Sequence, residues 1–282
     1  MGNQCCKFCD NDPQNQSLLS THQNTLEKKK SSRSNLTLTD VNQHQPKCDS
    51  RLEIKKVDRM QELNDNVKEM LKSIGSLEID EKYLKDSFIQ YPELGPYKIG
   101  GVTYLGQFKE GMRHGMGKMV KADGSIYEGI WINDNCDIFG RFIEPNGNIY
   151  VGEITEGEAD GKGVLLRKDG SSYNGEWNMS MREGKGKEQW PDGSYYEGDF
   201  KASERHGKGI FVTKDGSKYE GDFVSNKKEG YGVEKSSFGN LYEGYWKSGR
   251  KHGHGKYTWI TGAIYEGNYV NNLKEGFGKL TS

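Results

Sequence analysis

The residues with the most chemistry in them lie at the very start of the chain. Gly2 follows Met1 and is itself followed by Asn3, Gln4, Cys5, Cys6 and Lys7. A glycine in that place fits N-myristoylation and the two thiols beside it fit palmitoylation, with Cys6 standing where the pattern has Ser or Thr. One acyl chain holds a protein to a bilayer only transiently, so Cys5, Cys6 and the basic cluster from Lys28 to Arg33 are read as the second signal. Cys5, Cys6 and Cys9 could also begin a metal site. Zinc wants four ligands, however, and His22, His44 and Cys48 follow at irregular distances in a polar tract, so no metal is expected. The five cysteines, crowded towards one end, suit a reducing compartment that leaves them as thiols.

A further candidate set is His114, His206 and His252, each ten residues after a tyrosine of a repeating pattern. Asp137, Asp160, Glu183, Glu229 and Glu275 take the same place in other copies, which predicts a polar role in a turn rather than catalysis. There is no glycine-rich phosphate loop followed by Lys and Ser or Thr, no kinase-like catalytic loop, and no spaced nucleophile, histidine and carboxylate. The expectation is a non-enzymatic protein without a cofactor.

The elements that position these groups follow from composition and periodicity. Only 32% of the 282 residues are hydrophobic and 38 are glycine, which argues against a large globular core. Forty basic against 41 acidic side chains leave no general attraction for nucleic acid. No apolar run approaches the roughly 18 residues of a membrane span, and no secretory leader is read behind Met1. Residues 1–50 are rich in Asn, Gln, Ser and Thr and are expected to be a disordered, acylated tail. In residues 51–96 a helical segment is expected to cover the start of the array. Leu52, Ile54, Val57, Met60, Leu63, Val67, Met70 and Leu71 recur every three to four positions, predicting an amphipathic helix over 51–73, and a second short helix is predicted near 80–88.

From Tyr104 the chain repeats every 23 residues as Tyr-x-Gly-x-aromatic, with tyrosines at 104, 127, 150, 173, 196, 219, 242 and 265. Gly-x-Gly recurs eleven residues after each tyrosine, reduced to Gly140 in the second copy, where Ile138 replaces a glycine. Asp-Gly or Asn-Gly closes most units, as in Asp123-Gly124 and Asp192-Gly193. Tyr, Gly and the aromatic fall at positions 0, 2 and 4, hence on one face of a strand, with a gap at glycine for rings of adjacent hairpins. Asp-Gly supplies the positive φ of a tight turn. The prediction is a mainly β fold: an elongated single antiparallel sheet of sixteen strands, each hairpin supported by its neighbours.

These columns resemble the MORN (membrane occupation and recognition nexus) repeat family over roughly residues 97–282. That resemblance implies an open sheet of hairpins acting as a platform for proteins or lipid, attached in some relatives to lipid-kinase or methyltransferase domains for which this chain shows no motif. Copy two departs at Ile138 and copy three lacks the second aromatic, which marks them for distortion or a specialised contact.

Three surfaces are candidates for binding. The aromatic face, with Tyr104, Trp131, Tyr173, Trp177, Tyr196, Tyr219, Tyr242, Trp246 and Tyr265 as its floor, is the natural groove for an extended or helical peptide, or else packs on itself. Arg113, Arg182, Arg205, Lys227, Lys228, Arg250, Lys251 and Lys274 are expected to line a basic rim facing acidic lipid or an acidic protein. On the outer face, acids such as Glu197, Asp199 and Asp222 face Lys185, Lys187 and Lys208, predicting cross-strand ion pairs. The last strand edge invites a homodimer. Together these features predict a scaffold at the cytoplasmic face of a membrane that recruits proteins of the cell cortex or cytoskeleton, with direct phospholipid (phosphoinositide) binding or a ciliary, axonemal role as alternatives.

Overall fold

The computed structural model describes residues 77–84, 91, 93–99 and 101–282. The tail, the acylation candidates Gly2, Cys5 and Cys6, and the helix expected over 51–73 lie outside the described residues.

Seventeen strands follow one another: β1 (Glu93–Ile99), β2 (Val102–Lys109), β3 (Met112–Val120), β4 (Ile126–Ile132), β5 (Asn135–Ile143), β6 (Ile149–Thr155), β7 (Glu158–Leu166), β8 (Ser172–Asn178) and β9 (Met181–Gln189). The second half comprises β10 (Tyr195–Lys201), β11 (Glu204–Val212), β12 (Lys218–Val224), β13 (Lys227–Lys235), β14 (Leu241–Lys247), β15 (Arg250–Thr258), β16 (Ile264–Val270) and β17 (Leu273–Thr281). Each pairs antiparallel with its sequence neighbours in a single open sheet. The strand beyond the sixteen expected is β1, which pairs Tyr97 with Tyr104 and covers the front edge of the first repeat. Of the helix expected near 80–88, the described residues hold a 3-10 turn, Glu81–Tyr83, capped by the Asp80 carboxylate accepting from the Lys82 amide at 3.0 Å, and residues 85–88 lie outside them.

The tightest turns are not where Asp-Gly predicts them. They fall inside each repeat, between its two strands, where both central residues have positive φ: Glu110-Gly111, Met179-Ser180, Ala202-Ser203 and Ser225-Asn226 among them. That pairing of left-handed residues is the type I′ turn, whose twist matches antiparallel strands. The Asp-Gly segments form wider connections, such as 121–125, in which the Lys121 amide donates to the Ser125 carbonyl and only Gly124 has positive φ. Asp123, Asp169 and Asp192 each accept from the amide two residues on, which sets these connections.

Every repeat also carries a bulge in its longer strand, at the first glycine of Gly-x-Gly or, in the second copy, at Ile138. Gly115, Gly161 and Gly184 have positive φ there, and the side chain three residues after the tyrosine closes over them. Thus Gln107 accepts from the Met116 amide at 2.7 Å, Glu153 from Lys162 at 2.8 Å and Asp199 from Lys208 at 2.9 Å. The histidine-or-acid column lies in these strands rather than in a turn. Glu183 and Glu229 nevertheless serve one, accepting from the amides of Ala202 and Ser248 in the following repeat's turn.

Candidate functional site: two faces of one sheet

One face holds the rings. Each repeat tyrosine lies over the glycine pair of its own hairpin, not an adjacent one as expected. A Cβ on Gly198 would fall 2.6 Å from the Tyr196 hydroxyl, for example. The hydroxyls of Tyr104, Tyr127, Tyr150, Tyr173, Tyr196, Tyr219 and Tyr242 donate to the carbonyl three residues on, at 2.7 to 3.0 Å. The second aromatic then links repeats: Trp177 meets Tyr173 and Tyr150, and Phe200 meets Tyr196 and Tyr173, edge to face at 5.0 to 5.4 Å. Trp131, Trp177 and Trp246 donate their indole N–H to Gly117, Gly163 and Gly232 of the preceding hairpin. The nine rings expected to floor a partner groove are 0 to 8% exposed. They are the core, and a partner cannot reach them without displacing their neighbours.

The expected basic rim is mostly folded onto the same face. Arg113 sits over Trp131 (4.4 Å), Arg182 over Phe200 (5.3 Å), and Arg205 over Tyr196 (5.7 Å). Lys228 lies over Tyr219 (4.6 Å), Lys251 over Tyr242 (4.7 Å), and Lys274 over Tyr265 (4.3 Å). Each stands directly across from the second aromatic of its repeat, as Arg205 does from Phe200 and Lys228 from Phe223. Burial lowers the proton affinity of Lys251 and of Arg205. Glu188 accepts an ion pair from Arg182 at 2.5 Å, and Glu234 bridges Lys228 and Lys251. Lys227 and Arg250 remain exposed at the rim, and Lys274, although over a ring, is exposed in the last hairpin.

The burial of the rings also changes their acidity. Desolvation raises the hydroxyls of Tyr104, Tyr150, Tyr173, Tyr196, Tyr219 and Tyr242 well above the ordinary tyrosine range, and pushes Tyr269 up to about 12.

The opposite face is charged and accessible. Lys185 pairs with Asp199 (2.5 Å), Lys187 with Glu197 (3.3 Å) and Lys208 with Asp222 (2.6 Å), the cross-strand ladder expected. Against the pull of burial, hydrogen bonds from Lys185 and from the Lys208 amide hold the Asp199 carboxyl below its ordinary value. Because Asp199 also closes the bulge, Asp199→Ala is expected to cost about 1 to 3 kcal/mol by leaving the Lys208 amide unpaired. Lys185→Ala, losing only an exposed ion pair, is expected to cost under about 1 kcal/mol. Equal costs in thermal denaturation would mean that the carboxylate does not support the bulge.

Reading down this face, the central residue of Gly-x-Gly is Met116, Phe139, Lys162, Lys185, Lys208, Tyr231, His254 and Phe277. The ionic stretch from Lys162 to Asp222 is therefore bounded by aromatic residues on both sides. Phe139 is occupied: Tyr83 stacks on it at 4.6 Å and 20°, and the Tyr83 hydroxyl donates to Glu153 at 2.8 Å. This is the specialised contact in copy two. Tyr231 and Tyr245, edge to face at 5.6 Å, are 49% and 53% exposed. Between these points lies an open trough of about 1020 Å³, floored by Gly186, Gly198, Gly209 and Gly221 and bordered by Lys187, Glu197, Ile210, Val233 and Tyr231. Of these residues the sequence marks only Lys187 and Glu197, as ion-pair partners on the third candidate surface; Ile210, Val233, Tyr231 and Tyr245 are not marked, although the column of central residues carries the signal.

Both faces are those of an open, single-layer array of glycine-paired hairpins, a repeat architecture. The chain belongs to the MORN repeat family, whose pattern matches residues 104–126, 150–172, 173–195, 196–218, 219–237, 242–264 and 265–282. The second copy falls outside those matches, in keeping with Ile138 at its bulge, where φ is 64°. No curated protein matches the chain. Among solved structures it is similar to the SAS-4 (dCPAP) TCP domain of Drosophila melanogaster in complex with a proline-rich motif of Ana2 (dSTIL). Identity there is 13%, over 59% of this chain and 89% of that one, with a TM-score of 0.31. It is also similar to the wild-type TCP10 domain of Danio rerio CPAP, at 15% identity, 62% and 89% coverage and a TM-score of 0.31.

Among the described residues no helix is long and apolar enough to cross a membrane, and no cluster of His, Cys, Asp and Glu is placed to hold a metal ion. Cys136 is buried in the core.

Proposed function

We propose that this chain is a non-enzymatic adaptor, tethered to the cytoplasmic face of a membrane through Gly2, Cys5 and Cys6, that recruits cortical or cytoskeletal proteins on the charged face of its sheet. The observation behind the platform reading is the contrast between the faces: the ring face is consumed by its own packing, while the charged face keeps Tyr231 and Tyr245 half exposed beside a glycine-floored trough. A half-exposed aromatic pair beside unfilled backbone is what a protein anchor fills. Balanced ion pairs leave this face little net field, and six of the basic side chains expected to meet lipid lie over rings, which favours a protein partner over a phospholipid headgroup.

The tether is read from the sequence motif alone and is tested first. With an alkyne-myristate label, the wild type is expected to be labelled and membrane-bound, and Gly2→Ala unlabelled and soluble. An unlabelled wild type would remove the anchor; a Gly2→Ala variant that is unlabelled yet still membrane-bound would transfer the reading to direct lipid contact by the repeats.

A further inference from the structure

We infer that the trough on the charged face of repeats four to six is the seat of the chain's own segment 52–71, docked as an amphipathic helix. Three features converge on it. The first is the path of the chain. Stepping back from β1, the Tyr91 carbonyl accepts from Gln107 at 2.6 Å, and the Tyr91 ring meets His114 at 5.6 Å, on β2 and β3. By Tyr83 the chain has reached Phe139 and Glu153, on β5 and β6. The earlier of these two contacts is thus the one nearer the trough, which begins at Asn174 on β8.

The second feature is length. Leu52 to Leu71 as an α-helix spans about 30 Å at 1.5 Å per residue. The trough runs from Asn174 on β8 to Val233 on β13, five strand spacings or about 24 Å. The third is chemistry. The stripe of Leu52, Val57, Met60, Leu63, Val67 and Met70 needs an apolar cover, and Ile210, Val233 and Tyr231 offer one. The flanking polar residues of the segment, Glu53, Lys56, Glu62 and Lys68, carry both signs, as do the Lys185, Lys187, Lys208, Glu197 and Glu220 that border the trough. Tyr83 on Phe139 is then the first anchor of a longer contact whose far end is the half-exposed pair Tyr231 and Tyr245.

Hydrogen exchange on the full chain tests this. In the wild type the amides of 52–71 are expected to exchange slower by about tenfold or more than in Tyr231→Ser/Tyr245→Ser, while the amides of β10 to β13 exchange alike in both. Ile210→Asp, in mid-trough, is the second variant and is expected to do the same. The strand amides, read in the same run, report whether either variant still folds. Exchange of 52–71 at free-chain rates in the wild type overturns the proposal, as does protection that survives either substitution in a folded sheet. Partner capture can fail while this protection persists, so the docking of the segment and the recruitment of a partner are separable.

Discussion

Raising the pH through 10 to 11 is expected to unfold the array abruptly, with tyrosinate absorbance and loss of strand signal appearing together. Six repeat tyrosines are almost fully buried, and desolvation holds their hydroxyls far above the usual value of 10.0. A folded-state pKa above the unfolded one means that the folded chain keeps protons that the unfolded chain sheds. Stability is therefore intact below pH 10 and falls above it, until the pH passes the folded-state values. Each such tyrosine contributes a slope of about 1.4 kcal/mol per pH unit once its unfolded counterpart is ionised, so six contribute roughly 8 kcal/mol per unit. Domain stabilities are about 5 to 15 kcal/mol. Little more than one pH unit should thus suffice, and the hydroxyls should ionise with the collapse of the sheet rather than before it. A smooth titration centred on 10 that leaves the strand signal intact would mean that the ring face is open to water.

That face was only half legible in the sequence. The 23-residue interval places Tyr196, Gly198 and Phe200 on one side of a strand by parity, and the structure agrees. Parity does not say which ring covers which glycine, because that depends on rotamer and twist, and each tyrosine turned out to lie over its own hairpin. The basic residues show the same limit more sharply. Placing Arg205 or Lys228 requires knowing where the chain reverses, and the reversals are two-residue turns at Ala202-Ser203 and Ser225-Asn226, which lack an Asn-Gly signature. With the turn located there, Arg205 falls opposite Phe200 and Lys228 opposite Phe223, over the rings rather than along a rim. The ionic ladder was readable because it needs only alternation and the Gly–Gly register. Tyr83 on Phe139 was not, because it joins residues 56 positions apart, and no periodicity relates them.

The glycine pairs are where a single methyl group should do the most damage. A Cβ on Gly198 would lie 2.5 Å from the Gly209 Cα and 2.5 Å from the Lys208 carbonyl oxygen, both backbone, so no side-chain movement relieves the clash. The strands must separate, and with them goes the seat of Tyr196, whose ring fills the space above both glycines. Gly198→Ala is expected to cost about 3 to 5 kcal/mol, at the upper end for a single substitution. Gly216→Ala provides the contrast: φ is +84° there but nothing lies within 4 Å, so only left-handed backbone strain of about 1 to 2 kcal/mol is expected. Because each repeat is stabilised by its neighbours, the lesion in repeat five should also lower cooperativity, the repeats on either side melting as separate blocks. Denaturant melts and limited proteolysis of the two variants would show this. If Gly198→Ala melts like Gly216→Ala, in one transition, the glycines tolerate a side chain and close approach of the paired strands is not what the Tyr-x-Gly pattern encodes.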